Sequence, residues 1–161
     1  MNEPVEYLLS SAPVVVRRKA RWGECDPAGV VYTPRFADYA ISAFEYFIAE
    51  LVGYPAQQAM IDEGFGLPMK AMSSEFHFSI WPDQYFDMTV RVGSMRTRTF
   101  DLVVTAQSLE HRPLFTTVLS PICIAPDKRA SIPIPVRFRQ RLESYRDAHG
   151  GADLPAKDVP S

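Results

Sequence analysis

The residues whose chemistry stands out are gathered in one stretch, residues 22–34, which reads WGECDPAGVVYTP. Asp26 precedes proline and therefore avoids the helical region of the backbone, and Gly29 permits backbone angles that other residues resist. Thr33 followed by Pro34 is typical of a helix N-cap and a first helical residue. A carboxylate beside a helix start can attack a carbonyl carbon or activate water, and the unpaired N–H groups there can stabilise an oxyanion. We interpret this stretch as the place where the chemistry happens.

The elements that must hold this stretch are a strand before it and a long helix after it. Alternating apolar and basic residues over 13–22 predict a half-exposed strand of an antiparallel sheet. After Pro34, aromatic and aliphatic residues recur at helical spacing as far as Leu51, with Gly53 just beyond. The pattern predicts a helix over 34–52 that other elements wrap around.

Beyond Gly66 the apolar period changes from helical spacing to alternation. A second short helix is predicted at about 55–63, ending at Gly64, and a short polar helix at about 137–146. Between them, four strands joined by turns are predicted around residues 72–80, 88–92, 100–107 and 114–125. One strand, one apolar helix and then four strands predict an α+β fold, in which an antiparallel sheet of five to six strands curls around a central helix.

The length of 161 residues, with 47% hydrophobic and 22% charged residues, indicates a single globular domain. We expect this domain at 13–147, after a loose leader at 1–12 and before a disordered tail at 148–161. The net charge of −2 argues against non-specific nucleic-acid binding.

Two cysteines, Cys25 and Cys123, lie far apart without CxxC spacing. This spacing argues against a zinc or thioredoxin-like site and favours a reduced, cytoplasmic setting, so we expect no metal. The sequence has no run of about 18 apolar residues and its acidic beginning has no signal-peptide character, so we expect no membrane span.

The order of elements, together with residues 22–36, resembles the hotdog-fold thioesterases, and most closely the 4-hydroxybenzoyl-CoA thioesterase family. The pattern of that family is Gly-acidic-Cys-Asp-Pro-Ala-Gly-apolar-Val followed by Trp-Tyr-Pro, and Gly23 to Val31 match it, with an aromatic residue and Pro34 after them. The short-chain acyl-CoA thioesterases of the Tol–Pal system are related more distantly. In element order the resemblance covers about 14–145, with a weaker residue-level echo at 96–100.

The resemblance implies an acyl-CoA thioesterase that forms homodimers through its sheet edges, and often homotetramers, with active sites at the dimer interface. Asp26 matches the catalytic carboxylate, and Thr33 matches the residue whose backbone N–H meets the thioester carbonyl. Arg96 and Arg98 occupy the stretch that meets the coenzyme A phosphates. Coenzyme A is part of the substrate, so no separate cofactor is implied. The family has Tyr or His where this chain has Thr33.

Thioester chemistry suits these residues, because a thiolate leaves without a strong general acid. Whether Asp26 attacks directly or activates water stays open. Several other residues are weighed for roles at the site. Glu45 is the fallback carboxylate on the helix, with Asp38 beside it; Cys25 is expected to be a small buried residue; His77 is expected to be structural; and Arg112, Lys128 and Arg129 are further phosphate candidates.

The acyl group is expected to be aromatic, because the Cys-Asp-Pro-Ala-Gly run matches the hydroxybenzoyl branch best. The helix also carries five aromatic residues that could line a pocket, although aromatic residues at helical spacing are more often core: Phe36, Tyr39, Phe44, Tyr46 and Phe47. Met72 and Phe76 are expected in the core. The alternatives are a short-chain aliphatic acyl-CoA thioesterase, a hydratase or dehydratase, and a non-catalytic acyl-CoA-binding module. The absence of histidine from residues 24–52 counts against the hydratase.

Overall fold

The computed structural model describes residues 3–152, which form a six-stranded antiparallel sheet wrapped around a long helix. The strands are β1 Glu6–Ser11, β2 Val14–Lys19, β3 Met69–Phe76, β4 Tyr85–Met95, β5 Phe100–Ser108 and β6 Pro113–Pro121. Their spatial order is β1-β2-β4-β5-β6-β3, and each neighbouring pair is antiparallel. The helices are α1 Arg35–Val52, α2 Ala56–Glu63 and α3 Val136–His149. A 3₁₀ turn covers Trp22–Glu24, and two short strands, β7 Ile124–Ala125 and β8 Ala130–Ser131, pair with each other. The predicted α+β fold is confirmed.

Helix α1 is held by one apolar stripe that the sheet covers. Its buried residues are Phe36, Tyr39, Ala40, Ala43, Phe44, Phe47, Ile48 and Ala49. The helix ends at Gly53, whose φ of 111° lies in a region that side chains disfavour. All five aromatic residues that could line a pocket are thus part of the core or packed against it. Phe36, Tyr39, Phe44 and Phe47 are buried, and Tyr46 packs against the core.

The expectation of a loose leader at 1–12 is wrong for the residues that form β1. This strand lies at the edge of the sheet and pairs with β2, with Tyr7 opposite Arg17 and Leu8 opposite Val16. Its apolar residues are too few to give a clear strand pattern, and the strand is stabilised by its pairing with β2. The domain therefore begins earlier than residue 13.

The strand expected at 72–80 also differs from the structure. It runs over Met69–Phe76 at the opposite edge of the sheet, paired with β6 alone. Met72 and Phe76 were expected in the core, but they are 40% and 51% exposed. The expected alternation of buried and exposed residues is absent, because only Met69 and Ser74 of this strand are partly buried. An edge strand has a neighbouring strand on one side alone, so it is less covered than the inner strands.

The end of the domain extends past the predicted boundary. Helix α3 covers Val136–His149, and the Ala152 N–H donates to the Val92 carbonyl at 2.9–3.0 Å-type hydrogen-bond length, 3.0 Å. The tail was predicted at 148–161, and its residues 153–161 lie outside the described residues. Within residues 3–152, no helix is long and apolar enough to cross a membrane.

Candidate active site

The turn that carries Asp26 is closed by three backbone hydrogen bonds, one outside the other along the loop. The Gly29 N–H donates to the Asp26 carbonyl at 2.9 Å, and the Asp26 N–H donates to the Val30 carbonyl at 3.0 Å. Further along, the Tyr32 N–H donates to the Glu24 carbonyl at 2.9 Å. Gly29 has a φ of 84°, which confirms the expectation that this position needs glycine. The loop from Glu24 to Tyr32 is thus a closed unit that leads directly into α1.

The Asp26 side chain is half-buried and uses one carboxylate oxygen to brace the turn. Its Oδ1 accepts a hydrogen bond from the Ala28 N–H at 2.9 Å. No residue within 3–152 donates to Oδ2. The carboxylate is therefore anchored on one side, and its other oxygen is available to a ligand or to water.

Thr33 lies just before α1. The prediction that it is the N-cap residue is wrong, because its side chain does not cap the helix. Pro34 occupies the cap position with helical backbone angles, and no side-chain cap hydrogen bond forms. The Phe36 N–H donates to the Thr33 carbonyl at 3.2 Å, and the Arg35 N–H donates to the Tyr32 carbonyl at 2.9 Å. The first N–H groups after Pro34 are therefore already bonded within the tight first turn.

The Thr33 N–H differs from these amides, because no acceptor for it lies within residues 3–152. Thr33 is an exposed residue at the positive end of the α1 dipole, directly after the closed loop that carries Asp26. A carboxylate and an N–H group without an acceptor therefore lie within seven residues of each other along the chain, just before α1.

Cys25, the neighbour of Asp26, is partly buried, and its Sγ lies 3.6 Å from the Arg21 carbonyl. Burial, and then the carboxylates of Glu24, Asp26 and Asp83, raises the pKa of its thiol above the ordinary value. A thiol in such surroundings holds its proton at neutral pH and is a poor nucleophile.

A buried polar cluster lies behind the turn, and the sequence analysis did not identify it. It joins β1, β2, the 3₁₀ turn and α1 through Glu6, Arg18, Glu24, Tyr39 and Ser42. One signal could have found it. Arg18 alternates in phase with Val14, Val16 and Ala20, so it is a single charge on the apolar face of a strand.

Two exposed aromatic side chains lie in the segment that runs from the end of β3 to the turn. The ring of Phe76 packs edge-on against Phe36 at the start of α1, with centroids 5.0 Å apart. Phe78 is also exposed, and the guanidinium of Arg112 lies 4.8 Å from its ring centroid. Val31, within the turn, donates its N–H to the Ile80 carbonyl at 2.9 Å, so the segment after β3 lies beside the turn.

Arg96 and Arg98 lie at the other end of the sheet from Asp26. The Asp26 turn adjoins the start of β4, whereas these arginines follow its end. With 11 residues at about 3.3 Å each, β4 separates the two places by roughly 30 Å within one chain. A single chain therefore does not bring its own Arg96 and Arg98 to its Asp26.

Both of these arginines already have partners. The Arg96 guanidinium donates to the buried Asp101 carboxylate at 2.6 and 3.1 Å and to the Thr99 hydroxyl at 2.8 Å. Hydrogen bonding to Asp101 raises the pKa of Arg96. Arg98 donates to the Ser131 carbonyl. At the Asp26 end of the same chain, Arg112 is the candidate cation that is exposed.

The remaining candidates from the sequence take structural or surface positions. Glu45 and Asp38 are exposed on α1, and Asp38 lies 3.5 Å from Arg35. His77 is exposed just after β3, with its Nε2 3.3 Å from the Thr116 hydroxyl. Within residues 3–152, no three histidine, cysteine, aspartate or glutamate side chains are grouped so as to hold a metal ion.

The sequence model of the thioesterase-like superfamily matches residues 20–142, well over half of the chain. The chain belongs to the thioesterase-like superfamily. The match includes the Asp26 turn, α1 and the strands around it, and it confirms the resemblance to the hotdog-fold thioesterases and the expectation of a thioesterase. No curated protein matches the chain.

Solved structures with the same fold include three with informative names. A 1,4-dihydroxy-2-naphthoyl-CoA thioesterase from Synechocystis is 21% identical, with a TM-score of 0.70 over 80% of this chain and 93% of that one. A gentisyl-coenzyme A thioesterase is 19% identical, with a TM-score of 0.70 over 80% and 98%. A Staphylococcus aureus protein solved in complex with CoA is 10% identical, with a TM-score of 0.81 over 100% and 98%. At these identities the likeness shows the fold.

Proposed function

We propose that the chain hydrolyses an aromatic acyl-CoA thioester to the free acid and coenzyme A, with Asp26 as nucleophile or general base and the Thr33 N–H as oxyanion donor. One observation carries the proposal. A half-buried carboxylate with an unengaged oxygen lies in the closed loop before α1, and a backbone N–H without an acceptor among residues 3–152 directly follows that loop.

Asp26 can catalyse the hydrolysis in either of two ways. As a base, Asp26 takes a proton from water while the water oxygen bonds to the thioester carbon; collapse of the oxyanion then expels the coenzyme A thiolate. As a nucleophile, a carboxylate oxygen bonds to that carbon and expels the thiolate, leaving a mixed anhydride that water hydrolyses. In either case the oxyanion develops where the Thr33 N–H and the α1 dipole can stabilise it.

An aromatic acyl group is supported by exposed rings in the segment between β3 and the turn. Phe76 and Phe78 are exposed there, and the ring of Phe76 packs on the buried ring of Phe36 at the start of α1. Flat aromatic groups pack well on such rings. Two proteins of the same fold carry hydroxylated aromatic acyl-CoA esters in their names, which supports the same substrate class for this chain.

We also propose that the working unit is at least a homodimer in the cytoplasm, as the family resemblance implies. An open edge strand with exposed Met72 and Phe76 supports joining through β3, because an uncovered apolar edge tends to pair with another chain. A second subunit could also bring an Arg98 to the coenzyme A phosphates, which one chain alone does not. The CoA complex of a protein of the same fold supports CoA as the carrier. No separate cofactor takes part.

The test is release of free thiol from a panel of acyl-CoA esters by the purified protein. We expect benzoyl-type, hydroxybenzoyl-type and naphthoyl-type esters to have a higher kcat/KM than acetyl-CoA and butyryl-CoA. A preference for the short aliphatic esters would contradict the substrate class, and binding of every ester without release of thiol would contradict hydrolysis.

A further inference from the structure

We propose that Glu24 and Tyr39 are positioning residues, which hold the Asp26 turn against α1 through a buried cluster that reaches back to β1. This inference rests on the proposed role of Asp26. Neither residue is expected to touch the substrate. Their role is to keep the carboxylate and the Thr33 N–H in one fixed arrangement.

Glu24 is the centre of the cluster. One carboxylate oxygen accepts from the Tyr39 hydroxyl and from the Arg21 N–H, both at 2.8 Å, and the other accepts from the Arg18 guanidinium. Burial works against the charge, but these hydrogen bonds lower the pKa of Glu24 below its ordinary value. The side chain is thus a charged acceptor with three donors on three different segments of the chain.

The cluster continues from Arg18 to the edge of the sheet. Arg18 donates to the Glu6 carboxylate of β1 at 2.7 Å, and the Ser42 hydroxyl of α1 donates to the same carboxylate. The Arg18 guanidinium also lies 4.6 Å from the centroid of the Tyr39 ring. Strand β1, which the sequence analysis mistook for a leader, therefore helps to fix both β2 and α1.

Stability alone explains this cluster poorly. The side chains of Arg18, Glu6 and Glu24 are 16%, 14% and 11% exposed, so three charges are largely removed from water. The Arg18 Nε is buried without a hydrogen-bond partner within residues 3–152. Buried ionic groups of this kind are often no more stabilising than apolar residues of the same size. Fixing a particular geometry is the role that remains for them.

The geometry that is fixed is that of the catalytic turn. The Glu24 side chain is bonded to α1 through Tyr39, and its carbonyl accepts the N–H of Tyr32 at 2.9 Å. Glu24 therefore joins both ends of the loop between it and Tyr32 to the helix that follows. Asp26 is two residues from this anchor, and Thr33 follows Tyr32 directly. Loosening the anchor displaces both groups relative to each other.

The matched test compares Tyr39→Phe with Tyr145→Phe. Both tyrosines are buried, and both substitutions remove one hydroxyl and keep the ring. The Tyr145 hydroxyl accepts from the Val14 N–H at 2.8 Å and donates to the Val90 carbonyl at 2.6 Å, away from the turn. If the Tyr39 hydroxyl only stabilises the fold, its loss should affect kcat as little as the loss of the Tyr145 hydroxyl does.

We expect Tyr39→Phe to lower kcat by about tenfold or more with KM within about twofold, because misplacement of a reacting group acts on the transition state. Hydrogen exchange of the amides in residues 26–31 should become faster in the same variant. Tyr145→Phe should leave kcat and these amides unchanged, although it lowers Tm. Glu24→Gln should act in the same direction as Tyr39→Phe and serves as the second variant.

The inference is overturned if Tyr39→Phe and Glu24→Gln keep the wild-type kcat and the wild-type exchange of the turn, whatever their Tm. It is also overturned if Tyr145→Phe lowers kcat as much as Tyr39→Phe. Failure of the proposed function would give a different result from failure of this inference. If the wild-type protein hydrolyses no acyl-CoA, the exchange comparison alone decides whether Glu24 and Tyr39 hold the turn.

Discussion

Asp26 combines two duties at the residue scale. Its Oδ1 accepts from the Ala28 N–H, which is the ordinary behaviour of an aspartate in a turn. The same bond orients the carboxylate so that Oδ2 faces away from its own backbone donor. A turn aspartate and a catalytic aspartate are therefore compatible here, because the local hydrogen bond fixes the side chain and leaves one oxygen for chemistry.

Cys25 offers the competing nucleophile, but within residues 3–152 its thiol contacts the Arg21 carbonyl and no activating base. Because burial and three carboxylates raise its pKa, the thiolate is scarce at neutral pH and becomes abundant only at a pH above the range of an ordinary thiol. We predict that Cys25→Ala retains at least about half of the wild-type kcat, as expected for a residue that contributes packing alone.

Alkylation by iodoacetamide checks the same point independently. Cys123 is fully buried and its pKa is raised to about 11, so reaction of the folded protein reports on Cys25. The rate of alkylation should rise at a higher pH than it does for a free cysteine. Complete alkylation should leave turnover largely intact, provided that the added group does not block access to Asp26. A Cys25→Ala variant that is inactive while still folded would show that the thiol takes part.

At the element scale, the helix and the turn could be predicted because their signals are local. Proline, glycine and helical periodicity lie within residues 22–53, and the structure places α1 within one residue of the predicted start. Strands β1 and β3 could not be predicted equally well, because the burial of an edge strand depends on which neighbour lies beside it. The positions of Arg96 and Arg98 relative to Asp26 depend on the direction of β4, which no local pattern gives.

A substrate without phosphates can show which cations contact the coenzyme A phosphates. We predict that Arg112→Ala and Arg98→Ala each raise KM for an acyl-CoA by about tenfold, since one lost phosphate contact is worth roughly 1.4 kcal/mol. Neither should change KM for the matching acyl-pantetheine, which has no phosphate. Arg98 would act from another subunit, because one chain places it far from its own Asp26.

The two substitutions also serve as controls for each other. An effect of Arg112→Ala alone would indicate that the phosphates are held within one chain, and that Arg98 has the purely structural contact to Ser131. An equal loss with acyl-CoA and acyl-pantetheine would contradict phosphate binding for either arginine. Arg96 is less useful as a variant, because its removal leaves the buried Asp101 without its cation.

At the scale of the whole molecule, the chain has one sheet face covered by α1 and two open sheet edges, β1 and β3. On β1, Glu6 is bonded to α1 through the Ser42 hydroxyl, whereas on β3 both Met72 and Phe76 are exposed. The asymmetry favours β3 as the edge that joins a second copy. The proposed contact between Arg98 of a second copy and the coenzyme A phosphates could not be predicted from the sequence, since it depends on that assembly.

A charge on one sheet edge tests this assembly, with the opposite edge as control. We predict that Met72→Lys dissociates the dimer and lowers kcat/KM by about tenfold or more, because lysine on an edge strand opposes pairing and the site is shared. Leu9→Lys, on β1, changes a side chain of similar exposure, 44% against 40%, and should leave the dimer intact. Sedimentation velocity measures both. Dimers of Met72→Lys, or a fully active monomer, would contradict the assembly.

The most direct measurement is the kcat of Asp26→Asn with the best acyl-CoA ester, compared with Asp38→Asn and Glu45→Gln, which change two exposed carboxylates of α1. Asparagine keeps the acceptor that braces the turn and removes the charge. We predict that Asp26→Asn lowers kcat by about a hundredfold or more, the usual scale for losing a general base, while both helix variants stay within about twofold of wild type. An Asp26→Asn variant that turns over as fast as wild type, with the turn intact, would contradict the account.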